Sequence, residues 1–108
     1  MNCYEHTLIV KQDLSENQNK KIIEKYESII NKNLGKVVKT EDWGLRILSN
    51  KIKNNKKGFY FHIKFEGVGK TIEELEKAEN IDETLIRYLT VRVKKHDLKN
   101  NYFEKKDL

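Results

Sequence analysis

The sequence predicts one α+β domain: a four-stranded antiparallel sheet with two helices on one face. Three observations predict it. Segments with period-two apolar alternation and segments with helical apolar spacing follow one another in the order β-α-β-β-α-β. Each helical segment has a single apolar stripe, so each must lie against a sheet and face solvent on its other side. With 108 residues, the chain has room for one core. Short connections and the usual crossover handedness then favour the ferredoxin-like β-α-β-β-α-β sandwich. The domain is expected to span residues 1–95, with 96–108 as a C-terminal tail lacking periodicity.

Each element has its own signal. Cys3–Lys11 reads as a strand, with Tyr4, His6, Leu8 and Val10 on one face and Cys3, Glu5, Thr7, Ile9 and Lys11 on the other. Ser15 followed by Gln18 fits a capping box and opens a helix over Glu16–Asn33. Its stripe is Ile22, Ile23, Tyr26, Ile29, Ile30 and Leu34, and Gly35 stops it. Lys36–Ile52 is a long strand with a phase break at Trp43-Gly44, where an internal glycine suggests a bulge. Asn54 to Gly58 reads as a hairpin loop. Phe59–Glu66 places Phe59, Phe61, Ile63 and Phe65 inward and Tyr60, His62 and Lys64 outward. Thr71–Asn80 is an acidic helix with Ile72 and Leu75 on its buried side, and Glu73, Glu74, Glu76 and Glu79 on a solvated face. Leu85–Lys94 is the last strand, with Leu85, Leu89, Val91 and Val93 inward. The open sheet face would then carry Tyr60, His62, Lys64, Tyr88, Thr90 and Arg92.

Composition excludes several classes. One cysteine cannot form an internal disulfide, so a secreted disulfide scaffold is excluded. No apolar run approaches the ~18 residues of a membrane helix, and no signal-peptide pattern opens the chain. The expectation is a small, basic, intracellular domain. Its 22 Lys and Arg against 17 Asp and Glu are unevenly placed. Trp43–Phe65 holds six cations and no acid, namely Arg46, Lys51, Lys53, Lys56, Lys57 and Lys64. Leu85–His96 holds Arg87, Arg92, Lys94 and Lys95, again without an acid. Charge sorted this way points to a phosphate backbone as partner. A generic basic surface is the competing explanation.

A search for chemistry finds little. Gly67-Val68-Gly69-Lys70-Thr71 ends like a phosphate-binding loop, but Lys64 stands where the pattern needs its first glycine. A turn with Thr71 capping the following helix explains it. His6, His62 and His96 with one cysteine show no metal-ligand spacing, so no metal or cofactor is expected. His6, on an apolar strand face, reads as a core histidine with a backbone partner. Cys3 and His6 face opposite sides of a strand, which excludes a nucleophile–base pair. Trp43 reads equally as a stacking platform and as a lid on the core edge. Arg46, Arg87 and Arg92 stand out in a lysine-rich chain, because planar bidentate contacts need the guanidinium.

Several blocks together are specific. They are Tyr4-Glu5, Glu41-Asp42-Trp43-Gly44-Leu45-Arg46, Lys57-Gly58-Phe59-Tyr60, Glu74-Leu75-Glu76, and Leu85-Ile86-Arg87-Tyr88-Leu89-Thr90-Val91. Over residues 3–95 the chain resembles the bacterial small-subunit ribosomal protein six family, in its alphaproteobacterial or organellar form. The resemblance implies a ferredoxin-like fold, no enzyme activity and no cofactor. It implies a structural role on the ribosome, cytoplasmic or organellar. The implied partners are the central domain of small-subunit ribosomal RNA and ribosomal protein eighteen. Arg46 and Arg87 carry over as contacts, and Lys51, Lys53, Lys56, Lys57, Arg92 and Trp43 join them from charge and position. The chain departs from the family at Asn2-Cys3, which replace basic residues, at Ser49-Asn50, which replace Ala-Tyr, and at Glu79, which replaces an apolar residue. A free-standing RRM-like RNA-binding module on the same fold is the alternative. It would need a Lys/Arg-Gly-Phe-Gly start that residues 59–62 lack. An acylphosphatase-like enzyme would need an anion loop after the first strand, which Lys11–Leu14 do not offer.

Overall fold

A computed structural model describes residues 1–52 and 55–95, without the side chains of 49–52. The elements are β1 (Asn2–Lys11), α1 (Glu16–Lys32), β2 (Lys36–Ile52), β3 (Asn55–Gly67), α2 (Gly69–Asn80) and β4 (Leu85–Val93). The sheet order is β2-β3-β1-β4, and every pair is antiparallel. The expected sandwich is therefore the observed one. The expected tail, 96–108, lies outside the described residues.

The core forms where both helices meet the central strands. Leu8 and Val10 of β1 and Phe61, Ile63 and Phe65 of β3 pack against Ile23, Tyr26 and Ile30 of α1 and Leu75 of α2. Ser15 caps α1 as its sequence predicts: its Oγ accepts the Gln18 N–H, and the Gln18 side chain accepts the Ser15 N–H. The helix ends differently from expectation. Leu34 adopts the left-handed conformation at φ 65 and is exposed, so it leaves the stripe. Gly35 is required for space instead, since a Cβ there would lie 2.7 Å from the Thr71 methyl and 2.8 Å from Ile30.

Thr71 helps to start α2, though from inside its first turn. Val68 is the N-cap; Thr71 Oγ1 accepts the Val68 N–H at 3.1 Å and donates to the Asn33 carbonyl at 2.6 Å. That second bond ties the start of α2 to the end of α1. The β2–β3 hairpin is tighter than expected. Ile52 already pairs with Asn55, so Asn55 to Gly58 belong to the strand and not to a loop. Asn54 lies outside the described residues. The break in β2 is confirmed: the register shifts between Asp42 and Gly44, and Gly44 has φ +78, which costs glycine little.

The main correction concerns β4. Ile9 pairs with Arg87 but Val10 pairs with Leu85, so Ile86 is one extra residue in the strand. A bulge of one residue moves every later side chain to the opposite face. Tyr88, Thr90 and Arg92 therefore align with Leu8, His6 and Tyr4 on the helix side. Leu89, Val91 and Val93 lie on the open face, where Leu89 and Val91 are about half exposed. His6 and Glu79 are further corrections. His6 has side-chain partners, Glu79 and Thr90, and Glu79 is buried rather than solvated. The phase of α2 turns Glu79 inward with Thr71 and Leu75.

Candidate nucleic-acid and partner interface

The sheet face not covered by helices is built from alternate residues of all four strands. β1 contributes Cys3, Glu5, Thr7, Ile9 and Lys11, and β3 contributes Tyr60, His62 and Lys64. β2 places Lys39 opposite Lys64, and Glu41 opposite His62. β4 adds Ile86, Arg87, Leu89, Val91 and Val93.

Toward β2 this face is closed by its own side chains. The Trp43 ring stacks on His62 at 4.8 Å and on Tyr60 at 6.4 Å. Its Nε1–H donates to Glu41 Oε1 at 2.9 Å. Lys64 Nζ lies 3.1 Å from Glu41 Oε2, both side chains being 2% exposed, and Lys39 approaches the same oxygen at 3.7 Å. His62 joins Glu5 at 2.8 Å through Nε2 and Thr7 at 2.9 Å through Nδ1. Beside them Ile9, Leu48 and Ile86 form a small second cluster under Tyr60.

These partners set the ionisation of the buried groups. Burial penalises the charged Glu41 carboxyl, yet the Trp43 N–H and Lys64 outweigh burial and hold it below the usual carboxylate range. Burial pushes the His62 imidazole down, against the pull of Glu5.

The arrangement decides between the two readings of Trp43. Its ring is 9% exposed and stacks on His62, so it is a lid and not a free platform for a base. Lys64 leaves the set of exposed cations, because its charge is used by Glu41. Among the remaining predicted contacts, Arg46, Lys56, Lys57 and Arg87 share one end of the sheet. Arg46 pairs with Gly58, Gly58 with Lys11, and Arg87 with the neighbouring Ile9. Arg46 is half-buried and folds back, its Nε–H donating to the Trp43 carbonyl at 2.9 Å. Lys56, Lys57 and Arg87 are exposed. Arg92 stands at the opposite end, exposed beside Lys94 and Lys95, with Nη2–H donating to Asn2 at 2.9 Å. The Lys51 side chain and all of Lys53 lie outside the described residues.

Toward β4 the same face is open. Leu89 and Val91 are exposed there, flanked along the strand by Arg87 at one end and by Val93 at the other. The sequence contained a signal for this patch: Leu85-Ile86 is an apolar doublet where strict alternation allows one residue. The Glu41 network had one too, since Lys39, Glu41 and Trp43 are spaced by two and share a strand face. Among the described residues no His, Cys, Asp and Glu group could hold a metal ion. No helix among them is long and apolar enough to cross a membrane.

Comparison with known proteins agrees with this architecture. The family model of ribosomal protein S6 matches residues 3–92. The small ribosomal subunit protein bS6 of Pelagibacter ubique is 56% identical over 107 residues, which is 99% of this chain and 88% of that protein. The bS6 of Brucella anthropi is 39% identical over 90% of this chain; the match spans 64% of that longer protein. The crystal structure of 30S ribosomal protein S6 from Thermotoga maritima has a TM-score of 0.82 at 28% identity, covering 98% of this chain and 94% of that one. By the match over residues 3–92 and the sandwich shared with a solved relative, the chain belongs to the ribosomal protein S6 family of the small ribosomal subunit, a family of ribosomal structural proteins and not of enzymes.

Proposed function

We propose that this chain is an RNA-bound structural constituent of the small subunit. It binds the central domain of small-subunit ribosomal RNA together with ribosomal protein eighteen. The observation that carries this reading is the division of the uncovered sheet face. Arg87, with Lys56, Lys57 and Arg46 near it, offers cations and guanidinium forks to phosphates at one end. Lys51 and Lys53 belong to the same sequence stretch and the same role. Arg92, on the helix side of β4, adds exposed cations with Lys94 and Lys95 at the other end of the sheet. Between them Leu89 and Val91 expose an apolar strip suited to a protein partner. The two relatives named are bacterial, which supports a cytoplasmic ribosome over an organellar one.

Phosphate contacts release counterions, so affinity falls steeply with salt. The test is binding of the chain plus ribosomal protein eighteen to central-domain RNA between ~50 and ~200 mM salt. Affinity is expected to drop by orders of magnitude, and Arg87→Ala to flatten the log–log slope by about one. Binding indifferent to salt would remove the RNA role of these side chains. Leu89→Glu is expected to weaken association with protein eighteen at constant salt, and an unchanged association would remove the apolar strip from that interface.

A further inference from the structure

His6 and Glu79 meet inside the helix-covered face, and both side chains have zero exposure. His6 stands on β1 between Tyr4 and Leu8, and Glu79 on the last turn of α2. Glu79 Oε2 lies 2.5 Å from His6 Nε2, while His6 Nδ1 lies 2.6 Å from Thr90 Oγ1 on β4. One imidazole therefore joins α2 and β4 to a central strand. The other carboxyl oxygen, Oε1, has no hydrogen-bond partner among the described residues.

Three proton arrangements satisfy these contacts; one, the imidazolium–carboxylate ion pair, holds two protons as two opposite charges at zero exposure, where burial penalises both. In the other two-proton form, Glu79 Oε2–H donates to Nε2 and Nδ1–H donates to Thr90 Oγ1, and the pair is uncharged. With one, Nε2–H donates to the carboxylate and Thr90 Oγ1–H donates to Nδ1. Each hydrogen bond survives, but a full negative charge then sits at zero exposure. The charged groups bearing on Glu79 besides His6 are Glu76 on α2 and Asp82 in the α2–β4 connection, both acidic. Lys25 of α1 is engaged by Asp82 at 3.6 Å and is half exposed. The remaining titratable neighbours are the Tyr26 hydroxyl of α1, which donates to Asp82, and Tyr88 of β4, whose ring centre is 6.4 Å from that of His6. A lone charge here lacks both water and a cation, so the uncharged arrangement is favoured.

We propose that His6, Glu79 and Thr90 form a proton-held clamp: the folded domain keeps the pair in its uncharged two-proton form at neutral pH, and loss of one proton to solvent loosens the end of α2 and β4 from β1. Burial holds the Glu79 carboxyl above its ordinary range, in keeping with this arrangement. In the unfolded chain the carboxyl titrates near 4.5 and the imidazole near ~6.5, so the pair is down to one proton above the second value. The folded pair retains both protons further, and binds more protons than the unfolded one. The stability it carries is thus fully present between those two unfolded values and lost as pH rises through the folded pair's own titration.

The direct test is an NMR titration of the full chain that follows the Glu79 side-chain carboxyl carbon. It is expected to keep the shift of a protonated acid at pH 6, where a solvated glutamate of ordinary pKa is ionised. Beside it, the unfolding constant of the wild type is compared across pH with that of the His6→Val/Glu79→Leu double variant. The ratio is expected to rise by up to tenfold per pH unit above ~6.5, while contributions from other groups cancel. A Glu79 carboxyl that titrates like a solvated glutamate, or a ratio independent of pH, overturns the clamp. If the double variant does not fold, the carboxyl titration decides alone.

Discussion

The two faces of the sheet each bury one glutamate, and the two carboxyls behave oppositely. Glu79 under the helices is pushed up, and Glu41 on the uncovered face is held down, although both are under 5% exposed. Burial acts on each in the same direction. The difference is the company. Glu41 has an indole N–H, Lys64 and Lys39 around it, whereas Glu79 has one imidazole and two acidic neighbours. Depth alone therefore does not set the charge of a buried group; the number and sign of its partners do. The faces also differ in how they exclude water. The covered face is a mainly apolar layer, holding the His6–Glu79 pair, roofed by two helices, and the uncovered face is roofed, on its β2 side only, by a stacked Trp43–His62 lid and the ion pair beside it.

The sharpest way to break this comparison is to remove the partner that makes the uncovered face tolerable. Glu41→Ala leaves Lys64 buried and strips the Trp43 N–H of its acceptor. Denaturant unfolding is expected to show a loss of about 3–5 kcal/mol, the usual cost of orphaning a buried charge. A loss below ~1 kcal/mol would mean that this face behaves as ordinary surface.

Apolar truncation separates the faces by a similar margin. Leu75→Ala in the covered layer is expected to cost about 2–5 kcal/mol. Leu89→Ala on the open side of β4 is expected to stay within ~0.5 kcal/mol. Equal losses would restore the unbulged strand, with Leu89 inward.

Acid titration sharpens the electrostatic half. The carboxyls of Glu41 and Asp82 are both lower in the folded state than their ordinary 4.5 and 3.8. For Asp82 too, burial pushes upward but is outweighed, by the Thr84 hydroxyl and the Tyr26 hydroxyl. A group lowered on folding contributes stability that is present above its unfolded value and lost as pH falls through its folded value. Urea unfolding between pH 5 and pH 2 is expected to lose at most about 1.4 kcal/mol per pH unit for each such proton. Glu41→Gln is expected to remove its share of that slope, and an unchanged acid limb would assign the loss to other carboxyls.

The smallest expected effect is at Arg46. Arg46→Lys keeps the charge and loses the fork. Its melting temperature is expected to stay near wild type, within the ~0.5 kcal/mol typical of surface changes, while assembly with ribosomal protein eighteen and RNA weakens. Lower melting with intact assembly would make Arg46 a brace for the Trp43 bulge, to whose carbonyl it donates.

The element order, the capping box at Ser15, the inward phenylalanines of β3 and the break at Gly44 were legible from local pattern. So was the family, because the Trp43 to Arg46 block and the β4 block survive as contiguous text. The site was legible only as charge. Arg87 and Lys57 sit thirty positions apart in sequence, and only the strand order brings them to one end of the sheet.

Local chemistry thus determined the elements by itself, since caps, glycine conformations and apolar periods act between residues a few positions apart. Tertiary structure decided which face each side chain meets. One extra residue at Ile86 reversed Leu89, Val91, Tyr88 and Thr90, because strand alternation has period two and registers against a partner far away in sequence. It also decided that Lys64, Glu41, His6 and Glu79 are interior. A charge is inside or outside according to what covers it, and the covers here, Trp43 over one face and α2 over the other, arrive only when the sheet closes.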